Sequence, residues 1–506
     1  MTDLTRREAM ALAALSGSAV ALGASPALAG SRRRKAPVDT LPTIPTIRSR
    51  NGILRATLDA TPGSAVINGV STKGLWTYSG RFVGPCLRVS PGDKLELTVR
   101  NQTPVPVNTH FHGCWVDPSG DADNVFVDAE PGGSLTSRLT FPATHDGGLF
   151  WYHPHVHGYT NESVWNGLSG PLIVSGGVEA IPQYQGCRER LLVFKGFALD
   201  PKASSPTMLS VDSAGASDTL FTVNGALAPI MALRPGETQI WRMANTGNDG
   251  FLRVSLEGHK FTVLSMDGAQ VFAPFRTPEV LLVPGARAEV AVTGADKPGS
   301  YALRTLGFNN GRYGEWLPQV LATVQVGGRP GATAKAPKVL AARPSWLDEK
   351  PVRRRLFTLS EAFVDGAPQF LINGEVFDHQ DMHTPFEVQV GTVEEWVVRN
   401  APSVAAGGAF EGHPFHIHVN HFAVVGTGKW DPETGKVLSH QAVKPPGLRD
   451  AKEVGPREYV VLRMKFRRFT GKTVFHCHIL FHEDMGMMGS FAIVDRPPAD
   501  DGHMHH

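Results

Sequence analysis

The strongest constraint on this chain is a threefold internal repeat. An apolar run ending in Asn-Gly occurs at Val66-Ile67-Asn68-Gly69, at Thr222-Val223-Asn224-Gly225 and at Leu371-Ile372-Asn373-Gly374. Asn-Gly between alternating stretches is the favoured corner of a tight β-hairpin. Each copy continues with a Gly-led strand that ends in Asn: Gly92 to Asn101, Gly236 to Asn245 and Gly391 to Asn400. Each closes with a second Gly-led apolar strand, beginning at Gly148, Gly299 and Gly471. The period is about 150 residues, the size of a domain rather than of a solenoid unit. Helical periodicity is scarce, and 54 Gly and 38 Pro supply frequent turns. The chain therefore reads as all-β, with three consecutive β-sandwich or barrel domains at about 45–178, 186–328 and 352–495. The Pro/Ala/Lys-rich stretch from Gly328 to Pro344 reads as a linker to the third.

The copies are not equal. In the first, the Asn101 strand leads to His110-Phe111-His112-Gly113, and the closing strand runs into His153-Pro154-His155-Val156-His157-Gly158. In the third, the Asn400 strand leads to His413-Pro414-Phe415-His416-Ile417-His418, and the closing strand carries His476-Cys477-His478. The matching stretches of the second copy, Phe251 to Leu256 and Ala302 to Gly307, hold no histidine. Residues i and i+2 of a strand share a face. Four His-x-His pairs, 110/112, 155/157, 416/418 and 476/478, thus point to a metal centre between the first and third domains, with the second as spacer. Eight imidazoles exceed the needs of one four-coordinate ion and suit a cluster of three coppers with open positions for oxygen.

The stretch Thr473 to Met487 adds a second donor set. If its first part is a strand, Cys477 faces away from His476 and His478. Cys477, His482 and Met487 offer thiolate, imidazole and thioether, the donors of a blue-copper electron-transfer site. With Cys477 so used, Cys86, Cys114 and Cys187 allow at most one internal disulfide, and the sequence leaves the pair open.

The N-terminus, Thr5-Arg6-Arg7-Glu8 before an apolar run to Ala27-Leu28-Ala29, reads as a twin-arginine export signal over residues 1–29. Residues Ser31 to Pro37 read as a basic leader. The expected location is periplasmic or extracellular. The net charge of +2 gives no footprint for nucleic acid, and no second run of about 20 apolar residues predicts a membrane span. Oligomeric state is not written in the sequence.

Together these motifs resemble the copper-binding motifs of the three-domain multicopper oxidases, the laccase-like family. The resemblance spans nearly the whole chain after the signal. It implies three cupredoxin-like Greek-key domains and four copper ions. It makes His413, Cys477 and His482 ligands of the blue (type 1) copper with Met487 axial, and His110 and His416 ligands of the type 2 copper. It makes His112, His155, His157, His418, His476 and His478 ligands of the type 3 pair. His153 is then left as a residue that packs or that supports a ligand, and His421 as a nearby structural one. By the same resemblance, Asp121 and Glu483 are the carboxylates that relay protons to the cluster. The implied activity is an oxidase that takes single electrons from phenols or aromatic amines and reduces dioxygen to water.

An alternative is a metal oxidase for Cu(I), Fe(II) or Mn(II), weakened by the lack of a Met-rich run among 12 Met. A non-catalytic envelope or cell-division scaffold is disfavoured because every ligand position is filled. The loops Ala401 to Phe410 and Gly426 to Gln441 are expected to set the reductant. Asp378 to His383 reads as a polar turn, and the His/Met tail from Asp500 to His506 as solvated chain.

Overall fold

The computed structural model describes residues 38–311, 315–364, 367–378, 384–402 and 411–497. The expected export signal and leader, residues 379–383 of the polar turn, residues 403–410 of the first loop and the tail from Asp500 lie outside these. Among the described residues no helix is long and apolar enough to cross a membrane.

Strands dominate, and they form three two-sheet units. In the first, a four-stranded sheet orders Val70–Tyr78, Ile53–Ile67, Lys94–Asn101 and Ser134–Thr140. A five-stranded sheet orders Thr46–Arg48, Cys86–Val89, Gly170–Val174, Gly148–His153 and His110–His112. Leu58, Leu97 and Val99 of one sheet meet Phe111, Phe150 and Leu172 of the other in a closed apolar core. The second and third units each pair a six-stranded with a five-stranded sheet, and their strands follow the same spatial order. In the third, Phe357 and Trp396 pack on Phe475, and Trp396 also packs on Phe415, across the sandwich.

The repeat signatures have a direct physical basis. Asn68, Asn224 and Asn373 have φ of 50°, 54° and 56°, and the glycines after them 78°, 83° and 86°. Two consecutive positive φ values make a type I′ corner, which Asn-Gly tolerates best. The strand-terminal asparagines are all buried. The Asn101 amide donates to Val105 O and Ala129 O (2.7 and 2.8 Å), and that of Asn245 to Gly250 O and Leu282 O (2.6 and 3.0 Å). The Asn400 amide donates to Glu411 O and Val454 O (2.5 and 3.0 Å). A neutral two-donor side chain thus satisfies two buried carbonyls at the same corner of every unit.

The units meet around the first and third. The Asp484 carboxylate accepts from the backbone N–H groups of Gly158, Thr160 and Asn161 (2.9, 3.1 and 2.7 Å), at the start of a short helix in the first unit. Asn248 of the second unit donates to Asn161 (2.8 Å). The stretch after Gly328 lies along the second unit, where Ala332 O and Leu340 N bond to Thr238 N and Phe272 O. All four cysteines are free thiols, so no disulfide forms.

Candidate metal centre

The ligand-bearing strands pair within each unit before facing each other. His110–His112 is the edge strand of its sheet and runs antiparallel to Gly148–His153, placing His110 opposite His153. In the third unit His413–Ile417 runs antiparallel to Gly471–Cys477, placing His416 opposite His476. Phe111, Phe415 and Phe475 point into the cores, so alternation turns the neighbouring histidines toward the interface.

Eight imidazoles converge there: His110, His112, His153, His155, His416, His418, His476 and His478, each at most 2% exposed. His110 stacks on His418 and His112 on His416, both at 3.8 Å and 11° between planes. His155 Nε2 and His418 Nε2 each come within 3.2 Å of His476 Nε2, and His112 Nδ1 lies 3.2 Å from His478 Nε2. The Nε2 atoms of His110, His153 and His416 are buried without a hydrogen-bond partner. Converging, unsatisfied imidazole nitrogens are costly unless a cation occupies the space between them, so the donor set fits bound metal.

This corrects the third expected pair. The histidines of the first unit's closing strand that reach the cluster are His153 and His155, not His155 and His157. The strand ends at His153. His157 lies beyond it, part-exposed, with its ring edge-on to Phe377 at 5.2 Å. His153 instead stacks on Trp151 at 4.1 Å and lies within ligand range of His110 and His112.

The carboxylate expected at Asp121 is also displaced. Asp121 is exposed and paired with Arg138 at 2.6 Å. Two residues on, Asp123 is buried. Its Oδ1 accepts hydrogen bonds from Phe111 N (2.9 Å) and from His110 Nδ1–H (3.0 Å), which leaves His110 Nε2 facing the cluster. Burial pushes the Asp123 acid up to about 7. Glu483 does lie at the cluster, buried, with Oε2 3.1 Å from His476 Nδ1 and Oε1 3.4 Å from His155 Nε2. Burial would raise its acid, but His155 and His476 hold it low. Burial first, and the other imidazoles after it, push His110, His112, His416, His418 and His478 well below the usual value, and carry His153 to about 3. Burial likewise takes His155 down to about 4 against the pull of Glu483. Neutral imidazoles are the form that binds a metal.

Beside this cluster, His413 Nδ1 and His482 Nδ1 each lie 3.7 Å from Cys477 Sγ and 3.3 Å from one another. Donors roughly 2.0–2.3 Å from one ion at trigonal angles stand about 3.5–3.7 Å apart, so these three also fit a bound metal. Met487 is fully buried, and its carbonyl accepts from Cys477 N (3.0 Å). Two buried carboxylates stand on the far side of the imidazoles, with Glu361 Oε1 3.6 Å from His413 Nε2 and Glu411 Oε1 3.6 Å from His482 Nε2. His421 Nε2 donates to the backbone oxygen of Asp267 (2.9 Å) and is a structural neighbour rather than a ligand.

Family models for multicopper oxidases match residues 59–178, 197–325 and 349–497. The chain belongs to the multicopper oxidases. Among curated relatives, a multicopper oxidase of Staphylococcus haemolyticus is 25% identical over 88% of this chain and 90% of its own. A laccase of Haloferax volcanii is 26% identical over 84% and 79%. A solved multicopper oxidase from Campylobacter jejuni, described as a metallo-oxidase, superposes with a TM-score of 0.72 at 25% identity, covering 92% of this chain and 97% of that one. This multicopper oxidase is therefore an oxygen-using, copper-dependent oxidoreductase built of cupredoxin-like units.

No sequence motif marks Asp123, Glu361 or Glu411: Glu361 and Glu411 reach the thiolate set from segments far from His482 along the chain, and Asp123 shares its turn with Asp121. His153 did carry a signal. It stands five residues after Gly148, as His476 stands five after Gly471, so aligning the closing strands of the two copies selects it.

Proposed function

We propose that this multicopper oxidase is an exported enzyme that oxidises phenols and aromatic amines one electron at a time and passes the electrons to dioxygen. The observation that carries the reading is the join between its two donor sets. Cys477 lies in the thiolate set, and its chain neighbours His476 and His478 lie in the imidazole cluster.

Four copper ions are assigned. His413, Cys477, His482 and Met487 hold the type 1 ion, and His110 and His416 the type 2 ion. His112, His153, His155, His418, His476 and His478 hold the type 3 pair. Bound copper supplies one-electron redox chemistry at the thiolate set and the four-electron reduction of dioxygen at the cluster.

The protein's own residues do the rest. The His476 ring lies 3.0 Å from Cys477 O, a hydrogen-bonded contact that parallels the covalent path between the sets. Asp123 holds His110 in one tautomer. Asp123 and Glu483 are the carboxyl groups placed to relay protons for water formation, Asp123 as the raised acid and Glu483 as an acceptor beside His155 and His476. A phenol must shed a proton as it loses an electron, and Glu361 and Glu411 are the carboxylates nearest the outer edges of the type 1 imidazoles.

Those same two acids favour a second reading, because carboxylate oxygens also attract a reduced metal cation. Oxygen uptake by the copper-loaded protein decides between them, measured with a methoxyphenol, an aromatic amine, Fe(II) and Cu(I). Turnover with the organic reductants supports the phenol reading. Turnover with metal ions alone replaces it with the second. Export is tested by exchanging Arg6 and Arg7 for Lys, which should leave the protein in the cytoplasm.

A further inference from the structure

The second unit carries no copper ligand, yet it places one cation against the cluster. Arg287 is fully buried in the strand Arg287–Thr293, and all five of its N–H donors are used. Nε donates to Leu149 O (3.2 Å) in the first unit. Nη1 donates to Gly285 O (3.0 Å) and Nη2 to Asp267 O (2.9 Å) in its own. Nη1 and Nη2 together grip the Asp450 carboxylate of the third unit, at 2.8 and 2.6 Å. One guanidinium thus ties three units together through a bidentate fork.

Asp450 in turn orients two cluster histidines. Its Oδ1 lies 3.3 Å from His112 Nε2, and its backbone oxygen lies 2.8 Å from His416 Nδ1. A proton on Nε2 of His112 leaves Nδ1 for the cluster, whereas a proton on Nδ1 of His416 leaves Nε2. The two stacked rings therefore present opposite nitrogens, and one residue dictates both choices.

The backbone is shaped around this grip. Gly113 has φ +80°, and a Cβ there would sit 2.1 Å from Arg287 Nη2 and 2.3 Å from Asp450 Oδ2. Gly285 has φ +81°, and a Cβ there would sit 2.8 Å from His478 Nε2 and 2.9 Å from His112 Cε1.

We propose that Arg287 is a positioning residue for the trinuclear site, acting through Asp450 to fix which nitrogens of His112 and His416 face the metals. This rests on the copper assignment above.

The test uses the full-length copper-loaded protein and its Arg287→Lys variant, which keeps the charge and loses the fork. The variant should keep its blue absorbance. Its type 2 paramagnetic resonance signal should change, and a chelator should remove cluster copper about 10–100-fold faster. Its kcat should fall by a similar factor, with KM for the reductant unchanged.

A folded variant with parental resonance and parental copper retention overturns the proposal and leaves Arg287 an interdomain tie. If Arg287→Lys does not fold, Asp450→Asn carries the same readouts, and a parental signal there also overturns it. A parent protein that takes up no copper overturns the copper assignment, and this proposal with it.

Discussion

The second and third units contain the same antiparallel strand pair, one bare and one bearing histidines. In the second, Leu252–Leu256 pairs with Gly299–Leu306. Leu252, Val254 and Leu256 fill the core, while Arg253 and Ser255 face outward, with Arg253 ion-paired to a half-exposed Glu279. In the third, every residue of His413–Ile417 is buried. Phe415 and Ile417 fill the core, and His416 occupies the opposite face because the first unit covers it. A sandwich strand needs only one apolar face to hold its place. The other face becomes a metal site only where a second unit removes it from water, which keeps the imidazoles neutral and aimed.

That contrast can be broken most strongly at the covered face. His153→Ala should lose cluster copper and lower turnover by more than about 100-fold, beyond the usual effect of a residue that merely supports a ligand. His157→Ala should keep both copper content and turnover within about twofold, as surface-side changes usually do. Metal analysis with oxygen uptake separates the two, and a reversed ranking would restore the His155/His157 pair.

Next in size, Asp123→Asn should slow oxygen reduction about 10–100-fold while blue colour persists, since it loses an acid and its grip on His110. Asp121→Asn removes only an exposed ion pair and should shift stability by about 0–1 kcal/mol with turnover unchanged.

The third test is acid. His153 and His413 are pushed by burial to about 3, and His145 and His155 to about 4. Between those values and the ordinary 6.5, the unfolded chain binds more protons than the folded one. The stability of the copper-free protein should therefore fall as pH drops from about 6.5 towards 4. Buried acids pull the opposite way, with Asp123 and Asp249 raised to about 7 and Glu289, Asp450 and Asp484 also raised. The lowered imidazoles, which include His110, His112, His416, His418 and His478 beside the four above, outnumber them. Denaturant midpoints across that range check the sign; a flat or inverted profile would mean the imidazoles are not buried neutral.

The smallest effect belongs to the open face. Ser255→His should bind no additional copper and alter stability by no more than about 0.5 kcal/mol.

The repeat, the all-β class and most of the converging histidines were legible because each is a local pattern: Asn-Gly at a corner, alternation along a strand, His-x-His on one face. Two readings failed where local pattern is ambiguous. His153, His155 and His157 form two overlapping i, i+2 pairs, and only the cross-strand register with His110 chooses between them. Asp121 and Asp123 share one turn, and counting from His112 does not reveal which carboxylate turns inward. Asp450, Glu361 and Arg287 act through partners that folding brings together from far along the chain, so no window of sequence contains both halves of the interaction.

The buried asparagine at each strand end has a consequence for how such a chain can vary. Asn400 bonds to the carbonyl of Glu411, so the span between them is cinched at its base and its length is decoupled from the histidines that follow. Doubling such a loop costs only about 0.6 kcal/mol in closure entropy. Insertions between the two anchors should therefore leave His413 in place, much as a drawstring holds a bag's mouth whatever the size of the bag.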